Sequence, residues 1–261
     1  RQEFIVDAVR RLGTVRVRDL AEELDVSEMT VRRDLDTLEA LRLVEKVHGG
    51  ASRPGDPSSF EPGFDAKQTR QRTEKLAIAR RALDHVQPGS AIALTAGTTT
   101  WTLARELVER SSSVPGVVVV TNAPTIAQAL YGALDVTVVL TGGIRTPSDA
   151  LVGPIATSSI EKLHVDTLFL GVHGMDANTG YSTPNLAEAE VNQALIEASR
   201  RVIVVADHTK WGVQGLAQIA PLDRADIVIS DDGLPPEGRR ALEGAGPELQ
   251  LAVTAADPAE R

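Results

Sequence analysis

The chain has no cysteine. That excludes a disulfide scaffold and thiol catalysis, and it fits a reducing cytoplasm. Aromatic residues make up 3% of its 261 positions, with two Trp and two Tyr. No apolar run approaches the ~20 residues that span a bilayer, and no basic-then-apolar signal segment opens the sequence. A cytoplasmic protein with no membrane partner is expected. The five histidines, His48, His85, His164, His173 and His208, show no metal-ligand spacing. There is no His-Glu-x-x-His pair, nucleophile elbow, Walker A sequence or dinucleotide fingerprint. Neither a metal nor a cofactor is expected.

Positive charge is also scarce, because the formal net charge is −9. Residues 1–53 carry 10 Lys and Arg against 11 Asp and Glu, and the remaining 208 carry 17 against 25. The excess acid lies downstream. Nucleic acid is therefore excluded from most of the surface, and any contact with it falls to a local basic face near the start.

Such a face can be read. Ile5, Val9 and Leu12 recur at helical spacing and Gly13 ends that pattern. Val17, Leu20, Ala21 and Leu24 make a second apolar stripe. After the turn "DVS", Ser27 is placed to cap a third helix, whose buried stripe is Val31, Leu35 and Leu38. The opposite stripe holds Met29, Arg32, Arg33 and Asp36. Leu43, Val44 and Val47 then suit a short β-hairpin with Lys46 and His48 on it and Gly49-Gly50 at its end. Helix, helix-turn-helix and hairpin in this order make a winged helix-turn-helix.

The segment "TVRRDLDTLEALRLVEKVHGGA" resembles the signature of the DeoR family of bacterial transcriptional regulators. There a Thr-x-Arg-Arg-Asp-Leu segment lies in the recognition helix and an Arg-x-His-Gly-Gly-Ala segment forms the wing; Lys46 stands here where arginine is usual. The resemblance implies that the chain binds operator DNA. Arg32 and Arg33 can then fork onto guanine or phosphate. Ser27, Met29 and Thr30 lie on the same helix start, Arg18 on the second helix is placed for the backbone, and Lys46 and His48 serve the wing. Asp34 is expected to be structural, since an acid facing DNA is repelled.

Pro54, Pro57 and Pro62 with Gly55 and Gly63 mark a linker, set at residues 53–68 between a first domain of residues 1–52 and a second of 69–261. "KQTRQRTEKLAIARRALDHV" reads as one helix opening the second domain. Seven short apolar runs follow: "SAIALT", "GVVVVT", "DVTVVLT", "VDTLFLGV", "RVIVVA", "ADIVIS" and "ELQLAVT". Most are continuously apolar, as strands covered on both faces are, and helical patterns separate several of them. The fold class is α/β: a mainly parallel, Rossmann-like sheet with helices on both sides.

Ligands on such sheets bind beyond the carboxyl ends of the strands. Those ends carry Thr95-Ala96-Gly97-Thr98-Thr99-Thr100, Thr121-Asn122, Gly142-Gly143 with Arg145, Gly171 to Asp176, and Asp207 with Lys210. A glycine turn, hydroxyls and helix N-terminal amides suit phosphate oxygens. Arg145 and Lys210 can neutralise them, while Asn122, Asp176 and Asp207 can hold sugar hydroxyls. Glu188, near "GYSTPN", can also reach a ligand, and Trp101 and Trp211 are expected to pack against protein.

The order of these segments is similar to the DeoR sensor domain, whose fold resembles ribose-5-phosphate isomerase. The resemblance implies a phosphorylated sugar as effector, with Gly97–Thr100 as the phosphate turn; Thr95 departs from the acid the family often has there. An isomerase, with Asp176 or Glu188 moving protons, explains only the second domain. A metabolite-binding protein that ignores DNA leaves the Arg32 and Arg33 face without a purpose. A ligand-responsive regulator, repressing a carbohydrate operon and working as a homodimer or homotetramer, explains both halves.

Overall fold

The computed structural model describes residues 1–12, 14–41, 43–47, 50–52 and 63–254. The chain divides into two compact units, Arg1–Pro62 and Gly63–Arg261. His48 of the expected wing, Gly13 and Gly49, and most of the expected linker lie outside the described residues.

The first unit runs α1 (Gln2–Leu12), β1 (Thr14–Arg16), α2 (Val17–Glu23), α3 (Glu28–Ala40), β2 (Glu45–Val47) and β3 (Gly50–Ser52). Its core is the set of periodic apolar residues: Ile5 and Val9 from α1, Val17, Leu20 and Ala21 from α2, and Val31, Leu35 and Leu38 from α3. Ser27 caps α3, its Oγ accepting from the Thr30 amide at 3.2 Å. Asp34 turns out to be buried on α3, where it accepts from the Arg1 guanidinium and from Gln2 Nε2 at 3.1 Å. The Arg1 hydrogen bond holds its carboxyl below the usual range.

The expected hairpin is larger than two strands. β3 pairs antiparallel with both β2 and β1, so the wing is a three-stranded sheet of order β1-β3-β2. Leu43 and Val44 precede it rather than forming it; Leu43 is exposed and Val44 joins the helical core.

The second unit opens with α4 (Phe64–Gln68) and α5 (Arg72–Leu83), not with one continuous helix. Gln71 adopts a left-handed conformation, φ 48°, that stops α-helical propagation. Lys75 fixes the break: its ammonium donates to the carbonyls of Lys67 and Arg70 at 2.7 and 2.6 Å. Residues 64–68, assigned to the linker by composition, are thus helical.

There follow β4 (Ala91–Leu94), α6 (Thr98–Glu109), β5 (Val117–Thr121), α7 (Pro124–Ala129), β6 (Val136–Leu140), β7 (Ile144–Arg145), β8 (Leu151–Val152), α8 (Pro154–Ile160) and β9 (Val165–Leu170). The chain ends with β10 (Gly174–Asp176), β11 (Gly180–Thr183), α9 (Leu186–Glu197), β12 (Ser199–Val205), β13 (Ala217–Ala220), β14 (Ile227–Asp231), α10 (Pro236–Ala245) and β15 (Glu248–Ala252). The seven apolar runs are the seven strands of one sheet, ordered β15-β14-β12-β9-β4-β5-β6, with every pair parallel. One face carries α5, α6 and α7, and the other α8, α9 and α10. Successive residues serve opposite cores, as Ile92 and Leu94 do on one side and Ala93 on the other. The β7–β8 hairpin and a small antiparallel sheet, β10-β11-β13, decorate this frame.

From β4 the chain winds outward through β5 to β6, then returns to place β9 on the other side of β4. The strand order reverses there, and a crevice opens where the connections diverge.

Close approach of the small sheet to the following loop depends on Gly174, where a Cβ would lie 2.0 Å from the Val213 carbonyl oxygen. Gly174→Ala is expected to lower stability by about 1–3 kcal/mol, measured as a lower urea midpoint. Gly244→Ala in α10, where a methyl group meets open space, is expected to leave the midpoint unchanged or raise it.

Candidate functional site

On the first unit, α3 presents Met29, Arg32 and Arg33 outward because its apolar stripe faces the core. Thr30 is half-buried, and its hydroxyl lies 2.9 Å from that of Ser27. Most cations on this face have acidic neighbours. Arg32 donates to Glu28 at 3.1 Å, Lys46 to Asp36 at 2.5 Å, and Arg18 lies 3.3 Å from Glu22. Exposed pairs of this kind contribute about 0–1 kcal/mol, so a phosphate can displace the acid at little cost. Among the described residues Arg33 has no acidic partner, which leaves its guanidinium available.

On the second unit, the strand ends are tied together across the crevice. Thr95, fully buried, accepts from the Gly171 amide at 2.9 Å and so joins the end of β4 to that of β9. Thr121 donates to the Leu94 carbonyl at 2.7 Å. Asn122 accepts from the Ala96 amide at 2.9 Å and donates to the Leu151 carbonyl at 3.3 Å, which links β4, β5 and β8. Thr100 donates to the Thr95 carbonyl at 2.7 Å and closes the turn into α6. The first intrahelical bond of α6 at this turn runs from the Trp101 amide to the Gly97 carbonyl, 3.0 Å. The amides of Thr98, Thr99 and Thr100 precede it, so the helix itself gives them no acceptor.

Past the ends of β9 and β12 lies a cluster of cations. The buried Lys75 ammonium feels Asp207, Lys210, Arg70 and Lys67, and burial lowers its pKa to about 8. His173, just beyond β9, is held neutral by burial and by the nearness of Lys210 and Lys67. Asp207 is buried; its carboxylate accepts from the Thr209 amide at 3.0 Å and from the Thr209 hydroxyl. α4, which carries Lys67, packs on α6, where the Phe64 ring meets Trp101 edge-on at 6.0 Å. Among the described residues, Lys67, Arg70, Lys75 and Lys210 thus gather positive charge around Asp207, chemistry that suits an anion.

The structure therefore gathers Ala96, Gly97, Thr98, Thr99, Thr100, Gly171, Asp207 and Lys210 past the carboxyl ends of the neighbouring strands β4, β9 and β12. The other expected residues have work inside the fold. Thr121 and Asn122 brace strand ends, and Asn122 has both amide atoms committed. Gly143 lets β8 pass, since a Cβ would lie 2.6 Å from the Val152 carbonyl oxygen, and Gly142 turns with φ 77°. Asp176 accepts from the amides of Asn178 and Thr179, at 2.9 and 3.1 Å, and shapes the turn between β10 and β11. Glu188 accepts from the hydroxyls of Thr146 and Ser148, pinning the β7–β8 loop to α9. Arg145 pairs with buried Asp149 on that hairpin. Both tryptophans pack on protein. Arg105 lies 5.1 Å over Trp101, and Trp211 fills the space beside Gly238.

Lys67, Arg70 and Lys75 of the cationic cluster, and the neutral His173 beside it, were not singled out from the sequence. The first three stand in a stretch that reads as an ordinary charged helix. Their signal is three-dimensional: a helix broken so that one lysine is buried among its own carbonyls.

A family model described as the DeoR-like helix-turn-helix domain matches residues 1–55, and one described as the DeoR C terminal sensor domain matches residues 70–232. The HTH-type transcriptional regulator GlpR of Haloferax volcanii is 37% identical over 247 residues, covering 94% of each chain. The glycerol-3-phosphate regulon repressor of Escherichia coli K12 is 30% identical over 252 residues, covering 96% of this chain and 98% of its own. Among solved structures, ribose 5 phosphate isomerase A from Neisseria gonorrhoeae aligns at TM-score 0.41 and 16% identity, spanning 58% of this chain and 57% of that one. A helix-turn-helix unit followed by an α/β sensor unit defines a DNA-binding transcriptional regulator, not an enzyme. The chain belongs to the DeoR family of such regulators.

Arg33→Ala is expected to weaken binding to duplex DNA and to reduce the slope of log affinity against log salt by about 1. A fluorescence anisotropy titration across a salt series measures both. An unchanged slope would remove Arg33 from the phosphate contacts.

Proposed function

We propose that the chain represses a carbohydrate uptake or catabolism operon and leaves its operator when the sensor unit binds a phosphorylated sugar or a related phosphorylated metabolite. The observation that carries this reading is the cluster of Lys67, Arg70, Lys75 and Lys210 around Asp207, on the same end of the sheet as the first turn of α6. A phosphate dianion there replaces mutual repulsion with attraction, and the amides of Thr98 to Thr100 donate to its oxygens. Asp207 and His173 border the same space and suit the hydroxyls of the remaining carbon chain. The glycerol-3-phosphate regulon repressor among the relatives supports a small phosphorylated metabolite.

On the DNA side, Arg32, Arg33, Thr30 and Met29 meet base edges and phosphates, with Ser27 capping the helix that presents them. Arg18 and the wing residues Lys46 and His48 contact the backbone. A first segment of net charge about −1 binds weakly alone, so the repressor acts as a homo-oligomer presenting paired units to a repeated or palindromic operator. The effector switches it by binding the DNA-free arrangement more tightly than the DNA-bound one.

Thermal stabilisation against a panel of glycerol and sugar phosphates and their unphosphorylated parents tests the sensing half. A shift that requires the phosphate and is lost in Lys210→Ala is the expected result; an equal shift with the parent compounds would sink it. Lys75 adds a pH signature. A bound dianion raises the Lys75 pKa above its unliganded value of about 8, so affinity is full below that pH and falls as pH rises through it. The dissociation constant is expected to climb by up to about tenfold per pH unit above 8, as calorimetric titrations over that range would show.

A further inference from the structure

β6 is the last strand of the parallel sheet, so among the described residues one of its edges meets no other strand. Sheet edges in stable monomers are usually protected by lysine, proline, a bulge or a covering segment. β6 reads "VTVVL" and has no charge at all. The depletion is wider than the strand. Residues 124–160 contain three charged side chains, Asp135, Arg145 and Asp149, in a chain that is 24% charged.

Large apolar side chains stand in solvent along the same edge. Tyr131 and Leu134, just before β6, are 94% and 98% exposed. Val139 and Leu140 are exposed on the strand, and Ile144 on β7 is 70% exposed. Ile155 on α8 is exposed too, and it approaches Gly142 in the turn that links β6 to β7. Together these six expose on the order of 700 Å², close to the ~800 Å² that each partner contributes to a standard interface.

We propose that this edge is where two copies of the chain join, with β6 of one copy antiparallel to β6 of the other about a two-fold axis. The assignment rests on the paired-operator reading above and names its surface. The ends of the strand are self-complementary in that arrangement. Tyr131 and Leu134 at the N-terminal end of one copy meet Leu140, Ile144 and Ile155 at the C-terminal end of the other. The charges match as well. Asp135, which has no cationic partner among the described residues, falls beside Arg145 of the second copy, whose guanidinium is largely exposed beyond its bond to Asp149. A self-complementary patch used once by each copy closes a dimer.

The test is the sedimentation mass of the full chain and of Tyr131→Glu/Leu134→Glu. These two side chains touch little of their own chain, and circular dichroism melting checks that the variant folds. The wild type is expected as two or more 27.8 kDa copies, and the variant as a species of half that number. A wild type that sediments as a single chain, or a folded variant of unchanged mass, overturns the proposal. The cysteine-free chain permits a second test. Leu134→Cys and Ile144→Cys samples, mixed with a short bismaleimide, are expected to crosslink to each other more than either does alone. Preferential self-crosslinking of each sample would overturn the antiparallel arrangement.

The phosphate-dependent thermal shift, read on the same proteins, separates this proposal from the sensing one. A shift kept while the mass does not change counts against the interface alone. A reduced mass in the variant, with no phosphate-dependent shift in the wild type, counts against sensing alone.

Discussion

The sensor unit depends on one awkward burial, that of the Lys75 ammonium. A lysine taken out of water loses hydration that must be replaced, and here the Lys67 and Arg70 carbonyls and the nearby Asp207 replace it. Those two carbonyls are available only because the helix stops between α4 and α5. Burying Lys75 and breaking the helix are therefore one event seen from two sides. The break also turns α4 so that Lys67 and Arg70 join Lys210. Burial, and then the nearness of those cations, lowers the readiness of Lys75 to hold its proton.

A second layer of organisation is made by short polar side chains at the strand ends. Thr95, Thr100, Thr121 and Asn122 are all buried and hydrogen-bonded to backbone. In a parallel sheet the connections leave these ends with carbonyls and amides that the ladder does not use, and hydroxyls satisfy them compactly. Thr95 is instructive because the related family often carries an acid there. A hydroxyl accepts from the Gly171 amide without placing a buried negative charge at the end of the strand.

Much of this was legible in the residues. All seven sheet strands showed as continuous apolar runs, because a strand covered on both faces has no polar side to show. The helix-turn-helix was legible through its apolar spacing and the Ser27 cap. The third wing strand was not, since three residues of β1 carry no readable alternation. Nor was the α4–α5 break: "KQTRQRTEKLA" has good helix formers throughout, and only a tertiary contact from Lys75 decides against them. The Gly97–Thr100 turn was singled out by its position in the sheet, and the structure places it at the start of α6. The cations on α4 and α5 were missed because surface lysines and arginines look alike until burial distinguishes them. Asn122 and Asp176 at strand ends, and Glu188 on α9, illustrate the converse, polar residues whose hydrogen bonds go to the protein.

The pairing of β9 with β4 has a consequence for how the protein is made. Ile92 meets Thr167 across the ladder, so the sheet cannot close until some 75 intervening residues have emerged. Contacts between distant parts of a chain form late, because the loop must be closed before the contact rewards it. The first unit, in contrast, completes its helical core within its first fifty residues. During synthesis the part that reads DNA is therefore assembled well before the part that regulates it.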